Sequence, residues 1–320
     1  MSRLSCPSRA RRAQAVFFLL CSLLLFTGCR PQPLYKDTHV LMGTFVEVTS
    51  THPEAAEIVF EEFRRLEKIL SIYDPRSEVS QLNRDGRVQA GPELMIVLSH
   101  AKRFWTLTDG AFDVTVAPLT ELWGFSSQKY RVPEQEEIAE KLALVGMDKM
   151  VVRRHDSMIQ FTLPGMQVNL GGIAKGFALD KAAQALRKHG IYNCLINAGG
   201  QVYALGEKAP GRSWKVARRD PRLPGGLSGG YLELTDQCVA TSGGYEQYFE
   251  AGGKQYSHII DPRSGYPVEN DLFSVTVIAS EGITADALAT AVFVSGGEPA
   301  GDIREKFPGV EINKTPATHR

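Results

Sequence analysis

The chain has 320 residues, of which 43% are hydrophobic and 22% are charged. This composition is typical of a folded globular protein and excludes disordered, collagen-like and coiled-coil chains. Lys and Arg together number 36, as do Asp and Glu, so no excess of positive charge indicates nucleic-acid binding. Five cysteines in a chain of this length are too few for a disulfide scaffold.

Residues 1–28 are predicted to be a secretory signal peptide. Four arginines precede an apolar run from Ala15 to Phe26, and Thr27, Gly28 and Cys29 follow it. The run is too short to span a bilayer comfortably, and this order of features is typical of a secretory signal. The small residues before Cys29 resemble a bacterial lipobox, in which Cys29 is lipidated and becomes the first residue. The alternative is an N-terminal membrane anchor that is never cleaved.

Removal of residues 1–28 would leave 32 basic and 36 acidic residues, a net charge of −4. Attachment to the membrane would therefore depend on the lipid on Cys29, because no polybasic patch contributes. The expected location is the periplasmic side of the bacterial cell envelope, with the inner membrane favoured over the outer. Cys194 and Cys238 lie in apolar, strand-like runs, which favours two separately buried thiols over a disulfide.

The mature chain is predicted to contain mixed helices and strands. In chain order the patterns indicate a strand at Val40–Thr49, helices at Glu54–Leu70, 94–108 and Glu134–Val145, a hairpin at 150–163, a helix from Phe177 to Gly190, seven short strands from Tyr192 to Ala279 that include His258–Ile260, a flexible loop at Gly225–Gly230, and a helix at about Ala285–Val294. The strands do not alternate regularly with helices, so an α+β fold is expected, not a doubly wound parallel sheet. We predict a tether at residues 29–38 and one domain at residues 39–320.

The stretch Leu170–Gly176 is rich in glycine and precedes a helix, an arrangement that can bind phosphate. It lacks the Gly-Lys-Ser/Thr order of a Walker loop and the glycine spacing of a dinucleotide fingerprint. An ordinary tight turn is the alternative. The sequence contains no CxxC or HExxH motif, and its GxSxG match at Gly226–Gly230 lies between two predicted strands, so it is not the strand-to-helix nucleophile elbow. Structural zinc, zincin and serine-hydrolase chemistry therefore lack support.

Two further groups of residues suggest a polar site. Asp286 and Thr290 are four positions apart and share a helix face, and a carboxylate with a hydroxyl suits magnesium. The alternative is a helix-terminal Asp and a Thr that bonds to its own helix. His258 precedes the turn Asp261–Gly265 and is either a general base or a structural histidine. The residues alone therefore leave two interpretations open: a polar phosphate site that can use magnesium, and ordinary structural roles for these side chains.

Several short blocks then give a resemblance to a known family. They are Met42–Thr44, 70–83, Gly110–Thr115 with Leu122–Phe125, Leu170–Gly176 with Asp180, Asn197–Gly200, Ala240–Gly243, His258–Gly265, and Ser274–Val277 with Ala285–Thr290. In these blocks and in their order the chain resembles the ApbE family of flavin transferases. The resemblance implies a T-fold-like α+β architecture with mixed or antiparallel sheets and packed helices.

The resemblance also implies an activity. Family members transfer FMN from FAD to a Thr hydroxyl of a target protein, such as redox subunits of the Nqr or Rnf type, and release AMP. Some members instead hydrolyse FAD to FMN and AMP. The expected partners are FAD, an acceptor protein with a flavinylation Thr, and the membrane through Cys29, with no nucleic acid. A lipid-anchored protein that only binds flavin is the non-enzymatic alternative.

The resemblance finally implies roles for individual residues. Magnesium would be bound by Asp286 and Thr290 with backbone oxygens of Gly172 and Ala289. His258 would be the base that acts on the incoming Thr hydroxyl, or would orient the phosphates. The expected FAD contacts are Met42, Tyr73, Ala111, Phe112, Asp113, Asn169, Lys175 and Ile260. Two positions depart from the family pattern, because Asn169 and Gln201 stand where Asp is usual or frequent.

Overall fold

A computed structural model of the chain describes residues 33–219, 227–297 and 303–317. The predicted signal peptide and the predicted lipidation site Cys29 lie outside these ranges. Within them, no helix is both long enough and apolar enough to cross a membrane. The tether at residues 29–38 is described only from residue 33, and a strand already begins at Tyr35.

The described residues form fourteen strands and eight α-helices. The strands are β1 (Tyr35–Leu41), β2 (Thr44–Ser50), β3 (Arg87–Gln89), β4 (Met150–Arg153), β5 (Met158–Phe161), β6 (Cys194–Ala198), β7 (Gln201–Leu205), β8 (Trp214–Arg219), β9 (Leu227–Leu234), β10 (Gln237–Gly243), β11 (Tyr248–Ala251), β12 (Lys254–Ser257), β13 (Leu272–Ala279) and β14 (Glu311–Pro316). The helices are α1 (Ala55–Leu70), α2 (Glu78–Asp85), α3 (Pro92–Leu107), α4 (Ala117–Leu122), α5 (Gln135–Leu142), α6 (Ala174–Lys188), α7 (Gly282–Val294) and α8 (Ile303–Lys306).

A seven-stranded sheet in the order β1-β2-β6-β7-β10-β13-β14 organises the fold, and every neighbouring pair in it is antiparallel. The main core lies against one face of this sheet, where α1, α6 and α7 pack. On the other face, Trp214 and Leu234 of the β8–β9 ribbon pack on Ala204, Val239 and Ile278. Antiparallel sheets with helices gathered on one face confirm the predicted α+β class.

The predicted strand Val40–Thr49 is wrong, because the chain reverses in its middle. Met42 and Gly43 have φ angles of 51° and 71°, and Leu41 pairs with Thr44 across the turn. Positive φ at both central residues is the geometry of a two-residue hairpin turn. The segment therefore forms the hairpin of β1 and β2, and the Met42 side chain lies at its tip.

Two other predictions on the strand-rich half need correction. His258–Ile260 is not a strand: β12 ends at Ser257 and only Ile260 forms an isolated bridge, with Pro267. The predicted loop Gly225–Gly230 lies partly outside the described residues, but Leu227 to Gly230 belong to β9. The prediction of two separately buried thiols is confirmed, because Cys194 and Cys238 are both buried and free.

Helix α7 lies in the centre of the core. Twelve of its thirteen residues are buried, and Thr290 is the half-buried exception. Its alanines leave little bulk between this helix and its neighbours. An alanine-rich helix can approach other backbones closely, so α7 is positioned to bring its polar side chains against α6 and the sheet.

Helices α6 and α7 cross at a pair of glycines. A Cβ atom on Gly176 would lie 2.1 Å from the carbonyl oxygen of Gly282, and one on Gly282 would lie 2.4 Å from that of Gly176. Asp180 of α6 accepts hydrogen bonds from the N–H groups of Gly282 and Ile283, at 2.5 and 2.9 Å. Asp180 thus caps the N-terminus of α7 from the neighbouring helix.

Asp180 gives a prediction about stability and pH. Burial raises the pKa of its carboxyl to about 7, whereas an unfolded Asp titrates at about 3.9. Between these values the folded chain keeps a proton that the unfolded chain has lost, so this residue's contribution to stability falls as pH rises. Asp180→Asn retains a capping oxygen without titrating. The free energy of unfolding of Asp180→Asn, measured with urea, should therefore rise relative to that of the wild type as the pH increases from about 4 to about 7. A difference in unfolding free energy between variant and wild type that does not change with pH would contradict this prediction.

Candidate functional site

The glycine-rich stretch forms a turn that leads directly into α6. The carbonyl oxygen of Leu170 accepts hydrogen bonds from the N–H groups of Ile173 and Ala174, at 3.0 and 2.8 Å. Asn169 shapes the turn, because its Oδ1 accepts a bond from the Gly171 N–H at 2.8 Å. The turn therefore presents the N-terminus of a 15-residue helix, where N–H groups and the helix dipole favour an anion.

Asp286 brings α7 against this helix N-terminus. Its side chain is only 3% exposed, and Oδ2 accepts a hydrogen bond from the Gly176 N–H at 3.0 Å. Oδ1 accepts a bond from the side-chain amide of Gln201 at the start of β7. The carboxylate is thus fixed by one donor from α6 and one from the sheet.

Thr290 lies on the same face of α7, as the four-residue spacing predicts. Its Oγ1 is 3.2 Å from Ser242 Oγ and 3.4 Å from the carbonyl oxygen of Asp286. A Cβ atom on Gly172 would lie 3.2 Å from Thr290 Oγ1 and 3.3 Å from the ring of Phe112. The structure therefore brings the glycine turn, Phe112 and the two polar residues of α7 together.

Burial and nearby charges set the electrostatics of this group. Burial raises the pKa of Asp286, while the charge of Lys175, the Gly176 N–H and the Gln201 amide oppose the rise. Lys175 donates from Nζ to the Gly171 carbonyl oxygen at 3.1 Å, and its charge also lowers the pKa of His258. A positive charge therefore lies at the glycine turn, close enough to affect the pKa of both the carboxylate and the histidine.

His258 lies directly after β12. Its Nδ1 is 3.1 Å from the carbonyl oxygen of Gln247, and its ring makes an edge contact with Phe125 at 6.5 Å between centroids. A carbonyl only accepts, so the neutral ring carries its proton on Nδ1 and leaves a lone pair on Nε2. Burial lowers the pKa of His258, which favours this neutral, basic form at pH 7.

The segment 111–113 is buried, and the Asp113 carboxylate bonds within the protein. Its Oδ1 accepts from the Thr115 N–H at 2.7 Å, and its Oδ2 from the Met147 N–H at 3.3 Å. Burial raises the pKa of Asp113 to about 6. Asp113 also lines a cavity of about 450 Å³ with Trp105, Gly110, Gly146 and Arg263. Any FAD contact from Ala111 and Phe112 thus comes from a rigid, buried segment.

The remaining three predicted FAD residues have different surroundings. Ile260 is 5% exposed and packs in a separate apolar cluster with Trp123. The ring of Tyr73 is 77% exposed and is free to stack on a planar ligand. Met42 donates its backbone N–H to Glu67 Oε1 at 2.9 Å, which stabilises the hairpin tip in its positive-φ conformation.

The hairpin tip nevertheless adjoins the site through the next turn. A Cβ atom on Gly199 would lie 2.3 Å from Oγ1 of Thr44, so the β1–β2 and β6–β7 turns are in close contact. The β6–β7 turn leads into Gln201, which bonds Asp286. The residues that sequence reasoning assigned no role in this group are Ser242 and Gly176. Ser242 belongs to the block Ala240–Gly243, and membership of this block is the sequence feature that could have indicated a role for it.

Among the described residues, no cluster of three or more His, Cys, Asp or Glu side chains could hold a metal ion. The Asp286 group differs from such a cluster, because one carboxylate lies beside a hydroxyl and backbone oxygens. Magnesium is a hard cation that prefers oxygen ligands and keeps several waters, so one or two carboxylates commonly suffice. The donor set of the group is therefore compatible with magnesium.

Comparisons with known proteins identify the family of the chain. The model of the ApbE family matches residues 42–312. The chain belongs to the ApbE family. An FAD:protein FMN transferase of Haemophilus influenzae is 34% identical over 268 residues, 81% of this chain and 78% of that protein.

Solved ApbE-family structures share the fold. The crystal structure of the ApbE protein of Thermotoga maritima is 35% identical with a TM-score of 0.77, covering 88% of this chain and 97% of the other. The flavin transferase ApbE of Vibrio cholerae is 29% identical with a TM-score of 0.77, covering 89% and 94%. The family assignment and the α+β fold made from the sequence are therefore confirmed, and the chain is a member of an enzyme family of transferases.

Proposed function

We propose that the protein transfers FMN from FAD to a Thr hydroxyl of an acceptor protein and releases AMP, in a magnesium-dependent reaction. One observation carries the proposal: Asp286 and Thr290 of α7 meet the glycine turn at the N-terminus of α6. A helix N-terminus beside a lysine favours the diphosphate of a nucleotide. The names of the ApbE-family relatives support flavin transfer as the reaction.

The residues of the site fit a divalent cation. Gly172 has no side chain where one would crowd Thr290 Oγ1, so its carbonyl can lie close to an ion. Asp286 and Thr290, with the carbonyl oxygens of Gly172 and Ala289, would hold the ion. Magnesium bound there would supply charge stabilisation to the diphosphate oxygens. Such an ion would also bind water and phosphate oxygens, because magnesium keeps several waters when it binds to proteins.

The other residues would bind and orient FAD. Lys175 at the start of α6 lies close enough to influence Asp286 and His258 electrostatically, so its ammonium group can offset phosphate charge. The exposed ring of Tyr73 can stack on a ring of FAD. The buried segment Ala111–Asp113, with Met42, Asn169 and Ile260, would complete the contacts.

The chemical step is a direct phosphoryl transfer. The acceptor Thr oxygen forms a bond to the FMN-side phosphorus, and the bond from that phosphorus to the bridging oxygen breaks. AMP leaves with the electron pair of that bond. The Thr proton passes to Nε2 of His258, which is the free basic nitrogen because Nδ1–H faces the Gln247 carbonyl. The enzyme needs no covalent intermediate, since positioning and electrostatics suffice.

His258→Ala should lower the transfer rate at saturating FAD by about a hundredfold, because general-base catalysis is worth at least that much. FAD affinity, measured by fluorescence quenching, should change little. The wild-type rate should also fall as pH drops through a value below the ordinary His pKa of about 6.5, because burial lowers that pKa. In the variant this dependence should disappear. A parallel loss of FAD affinity and rate would instead show a binding role.

An acceptor experiment separates transfer from its alternatives. The enzyme is incubated with FAD, magnesium and an acceptor domain of the Nqr or Rnf type, and mass spectrometry follows FMN. We expect the acceptor to gain FMN on a Thr with one AMP released per modified chain. Free FMN and AMP with an unmodified acceptor would indicate an FAD pyrophosphatase, in which water replaces the Thr. Intact FAD without AMP would indicate a flavin-binding protein.

We also propose that the mature chain is anchored in the cell envelope by a lipid on Cys29. The charged start, the short apolar run and the small residues before Cys29 support this proposal. Mass spectrometry of the protein extracted from membranes tests it. An acylated N-terminal Cys29 is expected, and a chain that still begins at Met1 would contradict it.

A further inference from the structure

The side chain of Gln201 has an unusual environment beside Asp286. The residue is only 5% exposed, and its Nε2 donates to Oδ1 of Asp286. Its other polar atom, Oε1, is buried and has no hydrogen-bond partner among the described residues. Most buried side-chain acceptors in proteins are paired, so this oxygen is available to a group that the protein itself does not supply.

The orientation of the amide follows from the chemistry of its partner. An ionised carboxylate can only accept hydrogen bonds, so Gln201 must present its NH₂ group to Asp286. The same choice directs Oε1 away from the Asp286 oxygen to which Nε2 donates. The amide oxygen and nitrogen share one carbon atom, so Oε1 still lies in the immediate neighbourhood of the carboxylate. A buried acceptor and a buried carboxylate thus lie side by side, and fewer donors reach them than their lone pairs could use.

We infer that Gln201 is a positioning residue of the cation site. Its NH₂ group fixes the Asp286 carboxylate, and its Oε1 accepts a hydrogen bond from a water molecule bound to the cation. Magnesium keeps several waters when it binds to proteins, and each such water is a strong donor. This inference rests on the proposed function, because it requires a divalent cation at Asp286 and Thr290.

The position of Gln201 suits this role. It is the first residue of β7 and follows the turn Gly199–Gly200, whose two positive φ angles are 61° and 95°. Asn197 Oδ1 accepts a hydrogen bond from the Gly200 N–H at 2.9 Å and holds the turn. Gln201 also pairs with Ala198 in the central sheet. A rigid turn and a sheet position therefore fix the amide, as expected of groups that orient a metal ligand.

The test measures Mn²⁺ binding to the full chain without FAD, by the electron paramagnetic resonance signal of free Mn²⁺. Gln201→Met keeps the length of the side chain but removes both polar atoms. We expect it to weaken Mn²⁺ binding by roughly tenfold or more, as for other groups that orient metal ligands. Its thermal midpoint without metal should stay close to the wild-type value, because removal of the unpaired buried oxygen offsets the loss of the hydrogen bond to Asp286.

Gln201→Glu provides the rescue. It returns the acceptor oxygen but not the donor to Asp286, and it adds a negative charge, so its Mn²⁺ affinity should exceed that of Gln201→Met. Gln255→Met, at an exposed position of β12, is the matched control and should bind Mn²⁺ normally. If Gln201→Met does not fold, Gln201→Leu replaces it in the same comparison, and wild-type Mn²⁺ affinity in that variant contradicts the inference.

The outcomes separate this inference from the proposed function. Wild-type Mn²⁺ affinity in Gln201→Met, or an affinity of Gln201→Glu no better than that of Gln201→Met, would overturn the role of Gln201 alone. Absence of Mn²⁺ binding to the wild type would overturn the inference together with the magnesium dependence. Wild-type binding combined with no flavinylation of the acceptor would leave the cation site intact and contradict only the transfer reaction.

Discussion

Asp286→Asn is expected to lower the rate of FMN transfer by about a thousandfold or more, because a bound metal ion contributes several kcal/mol to catalysis. The amide still offers an oxygen to the Gly176 N–H, which Asp286 Oδ2 bonds at 3.0 Å. It has no charge with which to hold a divalent ion. The rate is measured at saturating magnesium and FAD, with AMP release as the readout.

The fold should survive this substitution. Asp286 is buried and burial raises its pKa, so a neutral amide removes the cost of a buried charge. The thermal midpoint without magnesium should stay close to that of the wild type. Thr290→Ser, which keeps the hydroxyl, should retain activity, whereas Thr290→Val should lose much of it. Unimpaired transfer by Asp286→Asn would exclude the proposed role of the carboxylate.

Gly176→Ala should destabilise the protein by about 3 kcal/mol or more, at the upper end for overpacking. Its Cβ would lie 2.1 Å from the carbonyl oxygen of Gly282 and 2.8 Å from Cβ of Asp286. Backbone atoms cannot rotate away, so α6 and α7 must separate. That movement would also draw Asp286 from the Gly176 N–H, and transfer should fall with stability. Urea unfolding measures the first effect and AMP release the second.

The sign of the Gly176 effect makes this test decisive. Replacing an ordinary helix glycine with alanine raises the stability of a protein by roughly 0.5–1 kcal/mol. Gly282→Ala, whose Cβ would lie 2.4 Å from the Gly176 carbonyl oxygen, should destabilise for the same reason. A variant Gly176→Ala at least as stable as the wild type would show that the helices do not cross so closely.

The parts of the fold that depend on local periodicity could be predicted from the sequence. The helix predicted at Glu54–Leu70 is observed as Ala55–Leu70, because apolar residues at helical spacing mark its buried face. The hairpin at Met42–Gly43 could not be predicted in this way. The turn lacks the Asn-Gly or Asp-Gly signal, and strand-like residues continue on both sides of it.

The site was predictable to the same extent. The shared face of Asp286 and Thr290 follows from four-residue spacing on one helix. The donors to Asp286 do not, because Gly176 and Gln201 lie 110 and 85 residues away in the chain. The capping of α7 by Asp180 is likewise a contact between helices 102 residues apart. Such contacts depend on how elements pack and leave no periodic signal in the sequence.

The most direct test of the account is a crystal structure of the enzyme with FAD and Mn²⁺ in place of magnesium. We predict an anomalous peak within about 2.3 Å of the Asp286 carboxylate and Thr290 Oγ1, beside the FAD diphosphate and the glycine turn. A peak elsewhere, such as in the cavity lined by Asp109, Asp113 and Asp148, would contradict it. FAD bound with its diphosphate away from α6 would contradict it equally.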